Sequence, residues 1–131
     1  VYYSPVTFLY WYDTPKLYQG EAELEFWKRV PTTWDETHPI DGQIGKYVAI
    51  ARRSGQTWFV GVMNGLEART LSLATDFLVP GKKYTVTRYE DDPKLKTRTQ
   101  VKISRQTIRG GDNIRLDLLA SGGAAMEITE K

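Results

Sequence analysis

From about residue 45 onward the apolar residues of this chain return at every second position, a period that leaves little room for anything but strands. Trp58, Val60 and Val62 alternate with Thr57, Phe59 and Gly61, and Leu71 and Leu73 flank Ser72. Tyr84 and Val86 alternate with Lys83, Thr85 and Thr87. Val101 and Ile103, then Ile114, Leu116 and Leu118, then Ala124, Met126 and Ile128 repeat the pattern. Each run puts one face toward a core and the other toward water. Tyr47 to Ala51 is apolar on both faces, so that strand is expected to be central. Asp41-Gly42, Ser54-Gly55, Asn64-Gly65, Pro80-Gly81, Gly110-Gly111-Asp112-Asn113 and Ser121-Gly122-Gly123 separate the runs with turn chemistry. No long helix intervenes, which excludes a parallel sheet. The expected fold is mostly β: an antiparallel β-sandwich of seven or eight strands preceded by a short helical arm.

The arm reads differently. Ser4-Pro5 is a serine cap with proline at the first helical position. Val6 to Tyr12 is apolar or aromatic nearly all round, the mark of a helix covered on every side, and Asp13-Thr14-Pro15 stops it. Glu21 to Arg29 forms a second short helix, acidic in its first turn and basic in its last, which suits the helix dipole. Leu24, Trp27 and Lys28 share one side of it and Phe26 lies on another. The chain therefore divides into an arm, residues 1–30, and a sandwich, residues 31–131. The arm carries more aromatic surface than 30 residues can bury alone. Phe8, Trp11, Tyr12, Phe26 and Trp27, with Trp34 just beyond, are the candidate residues of an interdomain surface.

The composition is that of an ordinary folded domain: 131 residues, 40% hydrophobic and 26% charged. The absence of cysteine removes disulfides and thiolate metal sites. No apolar run is long enough for a membrane-spanning helix, and Val1-Tyr2-Tyr3-Ser4 is not the basic start of an export signal. A net charge of +2, with no basic cluster interleaved with stacking aromatics, does not suggest a nucleic-acid partner. Residues 1–45 hold seven acids and three bases, so the excess of positive charge belongs entirely to the strand-rich part.

Candidate chemistry is sparse. His38 is the single histidine, too few for a histidine metal cluster, and it is expected on a surface loop. Asp35 and Glu36 are adjacent, and neighbours in an extended segment point to opposite faces. A turn contact or an arginine partner suits them better than a glycosidase pair, which must flank one sugar ring. Glu90-Asp91-Asp92-Pro93 lacks the ligand spacing of a dedicated calcium loop and reads as a solvated hairpin tip. Gly122-Gly123 precedes strand-like residues rather than a helix and reads as a turn. Trp58 sits at a core position of its strand. No catalytic or metal-binding residue is assigned.

Several phrases occur in an order that resembles the C-terminal part of glycoside hydrolase family 97. They are Tyr3-Ser4-Pro5, Phe8-Leu9-Tyr10-Trp11-Tyr12-Asp13, Tyr18-Gln19-Gly20-Glu21, Glu23-Leu24-Glu25-Phe26 and Val30-Pro31-Thr32-Thr33-Trp34-Asp35-Glu36-Thr37. They continue through Gly42, Ile44-Gly45, Tyr47, Ala51-Arg52-Arg53, Gly55, Trp58-Phe59-Val60-Gly61 and Ala120-Ser121-Gly122-Gly123-Ala124-Ala125. The resemblance spans nearly the whole chain. It implies that residues 1–30 resemble the tail of a catalytic (β/α)₈ barrel and that the remainder is the C-terminal sandwich. It further implies a parent α-glucosidase, which inverts, or α-galactosidase, which retains, exported to the periplasm. The family's catalytic glutamates and calcium ligands belong to the N-terminal domain and barrel, and none of their motifs occurs here.

The resulting expectation is a non-catalytic domain with no cofactor of its own. Its partners are the catalytic barrel of the same protein and a second subunit, and its role is docking and oligomerisation. The rival expectation is a carbohydrate-binding module that recognises α-glucans through exposed aromatics. If the arm is an appendage to the sandwich, deleting residues 1–30 leaves a cooperative thermal transition by circular dichroism. A broad, non-cooperative melt would show the arm to be integral.

Overall fold

The computed structural model describes Val1 and residues 20–131. The expected first helix, with Phe8, Trp11 and Tyr12, lies outside the described residues. The elements are α1 (Leu24–Arg29), β1 (Glu36–Gln43), β2 (Tyr47–Ser54), β3 (Thr57–Asn64), β4 (Arg69–Ala74), β5 (Lys83–Asp91), β6 (Val101–Arg109), β7 (Asn113–Leu118) and β8 (Gly123–Glu130). Eight strands form two sheets, six-stranded in the order β1-β2-β3-β8-β5-β6 and two-stranded in the order β4-β7. Every strand pair within them is antiparallel. The double-sided strand β2 lies between β1 and β3, as its two apolar faces require.

The period-two pattern decides what meets in the middle. Ala49 and Ala51 from β2, Trp58, Val60 and Val62 from β3, Tyr84 and Val86 from β5, and Met126 and Ile128 from β8 form one buried cluster. Leu71 and Leu73 from β4 and Ile114, Leu116 and Leu118 from β7 belong to the same cluster. Trp58 is in this core, with its ring 4.8 Å from that of Phe77. The last strand in sequence, β8, is a central strand. Met126 faces Val60 on one side, and Ile128 faces Val86 on the other.

Polar groups close the ends. Thr75, 1% exposed, donates its hydroxyl to the Asp112 carbonyl (2.6 Å) and accepts the Gly111 amide (3.1 Å). The Tyr84 hydroxyl accepts the Val79 amide at 3.1 Å. Gly110 is required there: a Cβ would stand 2.0 Å from the Val79 carbonyl oxygen. Arg88 ties the layers together, donating to Glu90 (2.6 Å) and to the Arg115 carbonyl of β7 (2.9 Å). The outer edges are blunted by Pro39 and a register shift between Pro39 and Asp41 in β1, and by exposed Lys102, Arg105 and Arg109 in β6.

Four expectations need correction. Asp41-Gly42 does not end a strand: β1 runs through Gln43, because the Asp41 side chain takes the Gly42 amide (2.8 Å) and the turn falls at Gly45, with φ of +74°. His38 lies within β1 rather than on a loop. Its Nε2 is 3.3 Å from the Asp76 carboxylate, and its ring packs on Phe77 with centroids 5.6 Å apart. Glu90 is partly buried and paired with Arg88 rather than solvated at a tip. The helix expected over 21–29 is regular only from Leu24, with residues 22–23 in a turn.

Leu116 is fully buried between the sheets. Leu116→Ala is therefore expected to cost about 2–5 kcal/mol in urea unfolding. Ser72→Ala, on the exposed face of β4, should stay within about 0.5 kcal/mol.

Candidate functional site

The outer face of the six-stranded sheet is where this sandwich departs from the usual polar exterior. Phe59 occupies the water-facing register of β3, opposite Trp58 and Val60, yet is only 7% exposed. Tyr89 of β5 is equally covered. Their cover comes from α1 and from Trp34. The Phe26 ring lies 6.0 Å from Phe59 and 5.1 Å from Tyr89, and Trp34 meets Phe59 edge-on at 5.5 Å. Contacts of this kind contribute about 0.5–1.5 kcal/mol each beyond simple burial. Arg29, in the basic last turn of α1, anchors the helix to the sheet. It donates to Glu127 of β8 (2.9 Å) and to the Tyr89 hydroxyl (3.2 Å).

Beside this cluster runs a groove of about 470 Å³, bordered among others by Val1, Trp27, Ile50, Met63 and Val101. Trp27, edge-on to Phe26 at 6.0 Å, stays 51% exposed at its rim. Gly61 forms part of the floor; a Cβ there would come within 2.8 Å of the Val1 side chain. Arg52 is 7% exposed, and its guanidinium lies 5.7 Å from the Trp34 ring centroid. Among the described residues its Nε has no hydrogen-bond partner, and neither does the buried Oε1 of Glu23, which also lines the groove.

Of the six candidate interface residues, the structure places Phe26, Trp27 and Trp34 on this one face; Phe8, Trp11 and Tyr12 lie outside the described residues. Phe59 and Tyr89 complete the cluster. The signal for Phe59 was an aromatic at a strand position whose alternation assigns it to water.

The carboxylates are absorbed by structure. Asp35 accepts the Gly55 amide (2.7 Å), and Glu36 pairs with Arg53 (3.1 Å). Asp91 takes the Gly123 amide (2.9 Å), and Asp92 takes the Lys94 amide (3.0 Å). Among the described residues no three His, Asp or Glu side chains are grouped so as to hold a metal ion. The arrangement is suited to packing rather than to bond making: a flat aromatic and aliphatic face, pinned by a peripheral ion pair, with an indole left in the open.

Residues 33–129 match the family described as glycosyl-hydrolase 97 C-terminal, oligomerisation. The chain is 32% identical over 130 residues to a retaining alpha-galactosidase of Bacteroides thetaiotaomicron, covering 98% of this chain and 19% of that protein. It is 28% identical over 114 residues to a probable retaining alpha-galactosidase of Streptomyces bingchenggensis, covering 87% and 16%. Thus the chain spans less than a fifth of the length of these relatives. Among solved structures, a glycoside hydrolase family 97 enzyme from Pseudoalteromonas sp. strain K8, in complex with acarbose, superposes with a TM-score of 0.79 at 28% identity. That match covers 91% of this chain and 20% of the enzyme. A beta-arabinopyranosidase superposes with a TM-score of 0.67 at 37% identity, covering 79% and 16%. With the family match extending over most of the sandwich, the chain belongs to the glycoside hydrolase family 97 C-terminal domain family.

Proposed function

We propose that this chain is a structural domain of a larger glycoside hydrolase, docked through the outer face of its six-stranded sheet against the catalytic barrel and contributing to subunit assembly. The observation that carries this reading is Trp27. A tryptophan 51% exposed, next to an apolar groove and a partly buried aromatic cluster, is surface awaiting a neighbour. Interfaces between domains of one chain commonly bury about 600–1,500 Å², and the face formed by Phe26, Trp27, Ile50, Met63 and Val101 suits a contact of that class. The names of the curated relatives support an α-galactoside as substrate of the parent enzyme. Catalysis and calcium binding belong, in this reading, to the catalytic part of that protein, which acts in the periplasm.

The test uses the full-length protein. Trp27→Asp should speed release of the sandwich by limited proteolysis and lower the apparent Tm, with hydrolysis of a nitrophenyl α-galactoside retained before heating. Faster turnover of the α-glucoside would reassign the substrate. Hydrolysis by the purified 131-residue chain, or an unchanged proteolysis pattern in the variant, would defeat the docking reading. Titration with maltooligosaccharides that is abolished by Trp27→Ala would instead favour a carbohydrate-binding module.

A further inference from the structure

Three connections meet at one end of the sandwich and present aliphatic side chains where turn chemistry asks only for polar ones. Ile44, in the β1–β2 turn, is 103% exposed, and Leu66, after β3, is 87% exposed. Met63 and Leu119 beside them are 43% and 40% exposed. The end is firmly built. The Gly65 amide donates to the Lys46 carbonyl (2.6 Å), and the Ser121 amide to the Gly65 carbonyl (2.6 Å). The Asn64 side chain donates to the carbonyls of Glu67 (2.8 Å) and Leu119 (2.6 Å) and accepts from Arg69. Arg69 in turn lies over the Tyr47 ring at 5.0 Å. A shallow cavity of about 430 Å³ opens next to the protruding side chains, lined by Gln43, Lys46, Tyr47, Val48, Met63 and Asn64 among others.

We infer that this end is the self-association surface of the domain and that its occupant is the same end of a second copy; the inference rests on the reading that the domain supports assembly. Three features point to a copy of itself. Knob and socket lie side by side, so a two-fold axis can seat Ile44 and Leu66 of each copy against the cavity of the other. The rim is self-complementary in charge. Lys46 and Glu67 are both exposed, and among the described residues neither has an ion-pair partner, so the same axis can set each against the other across the contact. The hydrogen-bonded turns are already rigid, so little ordering accompanies association. A patch of this kind covers a few hundred Å² per copy, below the roughly 800 Å² per partner of a standard interface. The dimer is therefore expected to be weak, with concentration-dependent assembly.

Sedimentation velocity of the full-length protein over about 1–100 µM tests this. A monomer–dimer equilibrium is expected. Ile44→Asp with Leu66→Asp should weaken it about 100-fold, without change in far-UV circular dichroism or glycosidase activity. Lys46→Glu should weaken it about 10-fold, and adding Glu67→Lys should restore it to within about threefold. The charge exchange leaves the fold intact, so the proposal stays testable even if the aspartates disturb the turns. A dimer indifferent to all these variants overturns the tip surface and leaves the assembly reading standing. A strict monomer at every concentration overturns both. An oligomer weakened only by Trp27→Asp transfers self-association to the outer sheet face and likewise removes this proposal.

Discussion

The structure depends on an imbalance between its layers. Six strands stand against two, so β4 and β7 can cover only part of the large sheet, and only on one side. Apolar burial is worth roughly 25 cal/mol per Å², and every side chain left outside that contact must find cover elsewhere. Inside, the answer is a continuous cluster from Ala49 to Ile128. Between the layers, Arg88 of β5 reaches across to the Arg115 main-chain carbonyl of β7, placing a charge-assisted hydrogen bond where a hydrophobic contact would otherwise stand. On the outside, α1 and Trp34 lie over Phe59 and Tyr89, and the rest of that face is left as a groove.

That imbalance connects architecture to role. A self-sufficient sandwich covers both sheets with polar exteriors. Here one exterior is aromatic, and the short helix pinned by Arg29 and Glu127 forms part of it. A domain of this construction suits the docking role proposed above. The absorption of Asp35, Glu36, Asp91 and Asp92 into turns and strand contacts agrees with that division of labour.

Much of this could be read from residue order. Strict alternation marked β4 and β7, each with one wet and one dry face, and it also marked β3, β5 and β8, although part of their outer face is covered in the fold. β1 was harder: its eight residues carry one aliphatic side chain, Ile40, and the register shift after Pro39 breaks the period. The outer aromatic cluster was half legible. Phe26, Trp27 and Trp34 stood out by type, but only the fold shows that they gather over Phe59 and Tyr89, which come from different strands. Arg88 and Glu90 defeated the simple rule for another reason: a salt bridge can occupy an inward position that alternation reserves for apolar groups. The exposed tip residues Ile44 and Leu66 gave no periodic signal, since a turn residue belongs to no repeating face.

The place of β8 has a consequence for biogenesis. The strand that leaves the ribosome after all the others is the one that joins β3 to β5. Until it emerges, the β1–β3 meander and the β5–β6 hairpin lack their shared seam, and each exposes an unfinished flank. Maturation of this domain is therefore late and all at once, and a nascent polypeptide paused before Gly123 would hold two half-sheets prone to pairing with the wrong neighbour.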